Sequence, residues 1–333
     1  MSDRSAQIAV VGSYAVGMTM RASRAPVPGE TVEGRDFGAL HGGKGSNQAV
    51  ACARLGARVL FLACIGKDSN GDAALELYAK ERVDTSLIIR RTDLATGVGF
   101  IIVEDSGENL IVVDFGANRA LSPQDVRNAT DRIGAASVVM TQLEIEPETA
   151  AEAMRIGKEK GATTILNPAP YRAFPASAWQ YVDIVTPNAT EARLILGLPV
   201  NAAAEPESLA ERIKALEVGN VVITLGSRGA YVLSAEFTGL VPGWPVNATD
   251  TTGAGDTFAG ALAVAISEKH PLREAVSFAA AAAAISVTRY GVIPSIPDRR
   301  EVEEMMSFRD TAARLRGSQA DPGRTGGCTS GRT

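Results

Sequence analysis

The chain has 333 residues, 45% of them hydrophobic, enough to bury a substantial core, and a formal net charge of −5. That acidic balance, with no block of Lys or Arg, argues against nucleic acid or an anionic membrane as a partner. The two His (His41, His270) and three Cys (Cys52, Cys64, Cys328) stand far apart without metal-ligand spacing, which argues against a structural zinc site.

In chain order, "IAVVG" from Ile8 is a short β-branched run that reads as a buried strand. It has no basic region before it and no cleavage site after it, so a cytoplasmic chain is expected rather than a secreted one. "PGETVEGRDFGAL", residues 28–40, reads as extended chain around Gly and Pro. "GGKGSNQAVACARLG" follows: a double glycine, then a helix over Asn47–Leu55 that ends at Gly56. "ARVLFLACIG" reads as the next strand, and Cys52 and Cys64 lie in apolar runs as small buried residues.

Residues 96–118, "TGVGFIIVEDSGENLIVVDFGAN", break the alternation of strand and helix. They are two β runs joined by a turn at Asp105–Glu108, which predicts a hairpin. "ASVVMTQLE", "ATTILNPAP", "VDIVTPN" and "NVVITLG" are further buried strands, with a helix over Thr149–Lys160 between the first two. Near-continuous apolar strands separated by amphipathic helices imply an α/β fold with a mostly parallel sheet covered on both faces. The pieces 13–41 and 96–118 are taken as a small antiparallel sheet off the main body, lying as a lid over the carboxyl ends of the strands.

Later in the chain, "GWPVNATD" is strand-like, and Gly253, Ala254 and Gly255 form a turn opening the apolar helix "DTFAGALAVAI". The Ala-rich stretch Phe278–Val287 is too short to span a bilayer. One domain is expected over residues 1–317, followed by a disordered tail over 318–333 that is rich in Gly, Ser, Arg and Thr.

In open α/β sheets ligands bind outside the carboxyl ends of the strands, where Glu144, Asn167, Asn188 and Thr224 fall. Each alone is also a plausible turn former or helix cap. The "TDTTGAGDTF" turn is more informative. Its free N–H groups suit a developing negative charge, and Asp256 beside them can accept the proton of an attacking hydroxyl. Phosphoryl transfer requires both functions side by side. Read alone, Asp256 fits equally well as a first-turn acid favoured by the helix dipole.

Together the two Gly-rich motifs change the reading. With "PGETVEG", "LNPAP", "TPNATEA", "ITLGSRGA" and "AAAAISVTRYGVIPSIP" in matching order, the stretch from Ile8 to Pro297 resembles the ribokinase-like (PfkB) family of sugar kinases, and within it the bacterial ribokinase branch. The resemblance implies a ribokinase-like three-layer sandwich and an ATP-dependent kinase acting on a primary hydroxyl of a pentose or similar furanose-type sugar. It implies Asp256 as catalytic base, with Gly253, Ala254 and Gly255 as anion hole, and Gly43, Lys44, Asn47 and Glu144 as sugar-binding residues. Asn188, Thr224, Gly226 and Gly229, with Gly255, correspond to nucleotide-binding positions, and Glu191 to one that organises Mg²⁺ indirectly. Asp250, Thr252, Ser286, Arg289, Gly291 and Ser295 correspond to loops around an activating K⁺ ion. Such lids also pair into homodimers in related kinases.

The chain departs from the family at one place. Members of this branch carry Gly-Ser-x-Asn-x-Asp after the first strand, where this chain reads "GSYAVG", with Ala15 and Gly17 at the Asn and Asp positions. Each lost hydrogen bond is worth ~1.5–3 kcal/mol, about ten- to a hundredfold in affinity. Ribose is therefore expected to bind poorly, with His41 and Tyr14 as candidate replacements. A kinase of the same family for a nucleoside or other non-ribose substrate is the alternative enzyme reading. A non-catalytic sugar or nucleotide sensor is the alternative of another class, against which the intact Asp256 motif speaks.

Overall fold

A computed structural model of the chain describes residues 7–106 and 108–307; the segment 318–333 and Cys328 lie outside them. The apolar runs form strands in the order β1 (Gln7–Val11), β2 (Ala15–Ala22), β3 (Gly34–Gly42), β4 (Arg58–Leu62), β5 (Cys64–Gly66), β6 (Ile89–Arg91), β7 (Gly97–Glu104) and β8 (Asn109–Asp114). They continue as β9 (Val138–Gln142), β10 (Thr163–Asn167), β11 (Ile184–Val185), β12 (Asn220–Thr224), β13 (Gly229–Leu233) and β14 (Thr238–Pro242). The helices are α1 (Lys44–Arg54), α2 (Ser69–Glu81), α3 (Pro123–Asn128), α4 (Thr130–Gly134), α5 (Pro147–Glu159), α6 (Ala189–Ile195), α7 (Pro206–Lys214), α8 (Ala254–Ser267) and α9 (Leu272–Ser286).

The main sheet has the order β14-β13-β12-β11-β10-β9-β1-β4. Its strands from β4 to β12 pair in parallel, and only the β12–β13 and β13–β14 pairings are antiparallel. Because side chains alternate along a strand, Ile8 and Val10 join one core with α1, α2, α8 and α9, while Ala9 and Val11 join a second with α3 to α7. This is the expected three-layer sandwich, the helices supplying both covers that a parallel sheet needs. Cys52 and Cys64 are buried free thiols within these cores.

A second sheet, order β3-β2-β7-β8, is spliced between β1 and α1 and completed by the hairpin. The turn closes with Glu104 N–H donating to the Glu108 carbonyl at 2.9 Å. Its two outer pairings are antiparallel, while β2 and β7 pair in parallel. Among the described residues no helix is long and apolar enough to cross a membrane. One expectation fails: "GWPVNATD" is not a strand. β14 stops at Pro242, and residues 243–250 are irregular, since Gly243 and Pro245 deprive the stretch of a regular ladder.

Candidate active site

All parallel strands of the main sheet end on one edge. There Gly12 and Ser13 follow β1, Glu144 follows β9, Asn167 closes β10, Asn188 follows β11 and Thr224 closes β12. Helices α1, α6 and α8 begin at the same edge, so their free N–H groups converge on it.

Gly43 caps α1 with φ 87°, and a Cβ there would lie 2.7 Å from Tyr14 Cα and from Ala15 N. Only glycine lets the helix start so close to the β1–β2 connection. Glu144 is drawn into the same junction: its Oε2 accepts from Lys44 N–H at 2.8 Å and from Ser13 Oγ at 2.6 Å. Ser13, not singled out from the sequence, therefore belongs to the site. Burial pushes the Glu144 carboxyl above its ordinary range, against the pull of the Lys44 charge. The Lys44 ammonium is pushed up chiefly by the Asp256 charge, against the effect of burial, with Glu144 and Glu191 adding to it.

Asp256 stands in the first turn of α8 and is 4% exposed. Its Oδ2 accepts from Asn47 Nδ2 at 2.8 Å and its Oδ1 from Gln48 Nε2 at 3.0 Å. The helix itself starts at Ala254, one residue into the expected turn, with Gly253 as its cap at φ 77°. A Cβ on Gly253 would lie 2.5 Å from Val292 Cγ1, whereas one on Gly255 would meet nothing within 4 Å. The backbone at Gly255 is thus open to a ligand. The neighbouring Gln48 and Gln142 were missed from the sequence; the available signal was a glutamine inside the apolar runs "QAVAC" and "VVMTQLE".

On the other side of α8 lies a mainly apolar cavity of about 430 Å³, lined among others by Thr224, Gly226, Gly229, Gly255, Phe258 and Val287. The irregular stretch 243–248 supplies Trp244, Pro245 and Val246 to the same wall. Asn188 does not line it but bridges to Thr224 at its border. Asn188 and Glu191 form a capping box on α6: Asn188 Oδ1 accepts from Glu191 N–H at 2.8 Å, and Glu191 Oε2 from Asn188 N–H at 2.9 Å. Burial pushes the Glu191 carboxyl up. Among the described residues no group of three or more His, Cys, Asp or Glu is arranged to hold a metal ion.

Behind the α8 cap, Asp250 ties two loops together. Its Oδ1 accepts from Thr252 N–H at 2.9 Å and its Oδ2 from Gly291 N–H at 3.1 Å. Against the effect of burial, hydrogen bonding by the Thr252 side chain and by the two backbone amides holds its carboxyl below the usual range. Ser286 and Ser295 donate to nearby carbonyls, of Ala283 and Val292. Arg289 pairs with Glu301.

The small sheet meets this floor at Ala15, which pairs with Gly42 on β3 and Gly97 on β7. Gly17 pairs with Leu40 and Gly99 and does not have a positive φ. His41 pairs with Val16, so it faces away from the Ala15 and Gly17 side of the sheet. Its Nδ1 is 2.8 Å from the Tyr14 hydroxyl, a phenol that burial pushes up and keeps as a donor. Tyr14 is fully buried and its backbone is clamped by Asn118. Strand alternation thus directs His41 to the face opposite Ala15 and Gly17, and the Tyr14 ring packs against His41 and Tyr78.

Known proteins match this arrangement. A model described as pfkB family carbohydrate kinase covers residues 5–299. The chain is 40% identical over 279 residues to a ribokinase of Haemophilus influenzae, spanning 84% of this chain and 91% of that one. It is 33% identical over 304 residues to a deoxyribokinase of Salmonella typhi, spanning 91% and 99%. A structure of Arabidopsis thaliana ribokinase complexed with ribose and ATP superposes with a TM-score of 0.86 at 29% identity, covering 91% of this chain and 99% of that one. The chain therefore belongs to the pfkB family of carbohydrate kinases, and it is an ATP-dependent phosphotransferase with an alcohol group as acceptor.

Proposed function

We propose that this kinase phosphorylates a primary hydroxyl of a pentose or similar furanose-type sugar, with Asp256 as general base. The observation that carries the reading is the position of Asp256. It lies between the polar floor formed by Lys44, Asn47 and Glu144 and the open backbone of Gly255 that leads into the 430 Å³ cavity. The sugar occupies the first region and ATP the second. Asp256 takes the proton of the hydroxyl as its oxygen bonds to the γ-phosphorus, and the bond to the bridging oxygen of ADP breaks. The N–H groups of the Gly253–Gly255 segment and the Lys44 charge stabilise the phosphoryl oxygens during transfer.

Glu191, whose second carboxylate oxygen is free of the capping box, would help hold Mg²⁺, which would supply charge neutralisation to the phosphates. The backbone carbonyls of the loops pinned by Asp250, together with Thr252, Ser286 and Ser295, fit K⁺ as hard oxygen donors. The small sheet serves as a lid that excludes water. Its outer face, with Met20, Phe100, Leu110 and Val112 exposed, pairs with a second copy in a homodimer. A cytoplasmic setting fits two buried, unpaired cysteines.

A second reading of substrate is favoured by Ala15 and Gly17. A Cβ on Gly17 would make only ordinary contacts, with Ile101 Cδ1 at 3.7 Å and the Leu40 carbonyl at 3.8 Å, and neither Ala15 nor Gly17 carries a polar side chain. That favours a nucleoside or other non-ribose acceptor. ADP release measured against a panel of pentoses, other furanose sugars and nucleosides decides between the two. Failure of every acceptor alcohol would overturn both.

A further inference from the structure

Behind Asp256 lies a chain of buried amides that the reaction as described does not use. Asn167 Nδ2 donates to the Thr186 carbonyl at 2.9 Å, and its Oδ1 accepts from Gln48 Nε2 at 3.2 Å. The same Gln48 Nε2 donates to Asp256 Oδ1 at 3.0 Å, and Gln48 Oε1 accepts from Gln142 Nε2 at 2.6 Å. Gln48 and Gln142 are fully buried.

The orientation of every amide follows from one end. The Thr186 carbonyl can only accept, so Asn167 must turn its NH₂ toward it and its oxygen toward Gln48. That oxygen can only accept, so Gln48 must present its own NH₂, whose second hydrogen reaches Asp256. A flipped Gln48 would set its oxygen against two acceptors. The donor facing Asp256 is therefore imposed by strands β9 and β10 and the end of β11, independently of any ligand.

We propose that Gln48 is a positioning residue for Asp256: its amide, locked by Asn167 and Gln142, aims the carboxylate at the acceptor hydroxyl. Losing the bond leaves the carboxylate free to turn away from that hydroxyl, which costs turnover rather than substrate binding. The charged groups facing Asp256 are Lys44 on α1, Glu144 after β9 and Glu191 on α6, and a change at Gln48 leaves all three in place. A purely structural glutamine would also stabilise the fold through these buried hydrogen bonds, so stability alone does not test the idea.

The inference rests on Asp256 acting as the base; wild-type turnover and Asp256→Asn examine that reading separately and first. Gln48→Met keeps the volume and removes the donor. It is expected to lower kcat about ten- to a hundredfold, with KM for both substrates within about threefold. In the Asp256→Asn background the same change should alter the residual rate by less than about twofold, since the two residues act as one unit. Gln142→Met, which leaves the donor but loosens its orientation, should lower kcat in the same way by less. A raised KM with unchanged kcat, or full additivity with Asp256→Asn, would overturn the proposal. Folding is followed by Tm and nucleotide binding; should Gln48→Met fail to fold, an unchanged kcat in a folded Gln142→Met overturns it equally.

Discussion

The floor of the site and the lid above it are built in opposite ways. Asp256 is 4% exposed and bonded to two residues of α1, which rests on the core of the main sheet. Val112, on the outermost lid strand, is 71% exposed, and every residue of β8 is open to solvent. The floor is over-determined by packing on all sides, whereas the lid is a thin sheet joined to the body at the edge of the site. Under the proposed function, such a division would let the acceptor side differ, as at Ala15 and Gly17, without disturbing the groups assigned to the chemistry.

The comparison is broken most severely at Asp256. Asp256→Asn should lower kcat by ~10²–10⁴-fold while nucleotide still binds, as read by calorimetry. A variant retaining more than a small fraction of wild-type turnover would remove the base from the mechanism. On the lid side, Ala15→Asn with Gly17→Asp should lower KM for ribose by at least about tenfold and leave kcat nearly unchanged. Gly17 has no positive φ and its would-be Cβ makes only ordinary van der Waals contacts, so the side chain enters without backbone strain. An already ordinary KM for ribose in the wild type would show that the open pocket is not a loss of grip.

A smaller effect is expected behind the floor. Replacing Na⁺ by K⁺ at fixed ionic strength should raise kcat, and Asp250→Ala should abolish the difference by releasing the Thr252 and Gly291 amides. Equal rates in both salts with the wild type would take the cation out of the reaction. The mildest change is predicted for the outer lid face. Register puts Phe100 opposite Val112, on the side away from Gly17 and Gly99, so Val112→Glu should split the dimer and barely alter turnover. Light scattering at micromolar concentration reads the outcome, and a wild-type monomer would defeat the dimer but leave the lid standing.

Much of this was legible in the linear chain. The parallel α/β sandwich followed from β-branched runs alternating with amphipathic helices, because a strand buried on both faces must be apolar throughout. The hairpin followed from its turn residues, and Asp256 from its place beside a Gly-rich helix start. "GWPVNATD" misled because its apolar composition matches a strand, while its Gly and Pro prevent a regular ladder. Other features are pairwise and long-range, so no local signal carries them. Gln48 meets Asp256 across a sequence separation of 208, and Ser13 meets Glu144 across 131. Whether His41 could serve the acceptor pocket depended on register, since in a strand a shift of one residue changes the face. The sequence by itself thus determined the layers and marked Asp256 as the candidate reactive group, through periodicity and turn chemistry. Only the tertiary structure decided which way each side chain points and which amides meet Asp256, because those depend on contacts between elements distant in the chain.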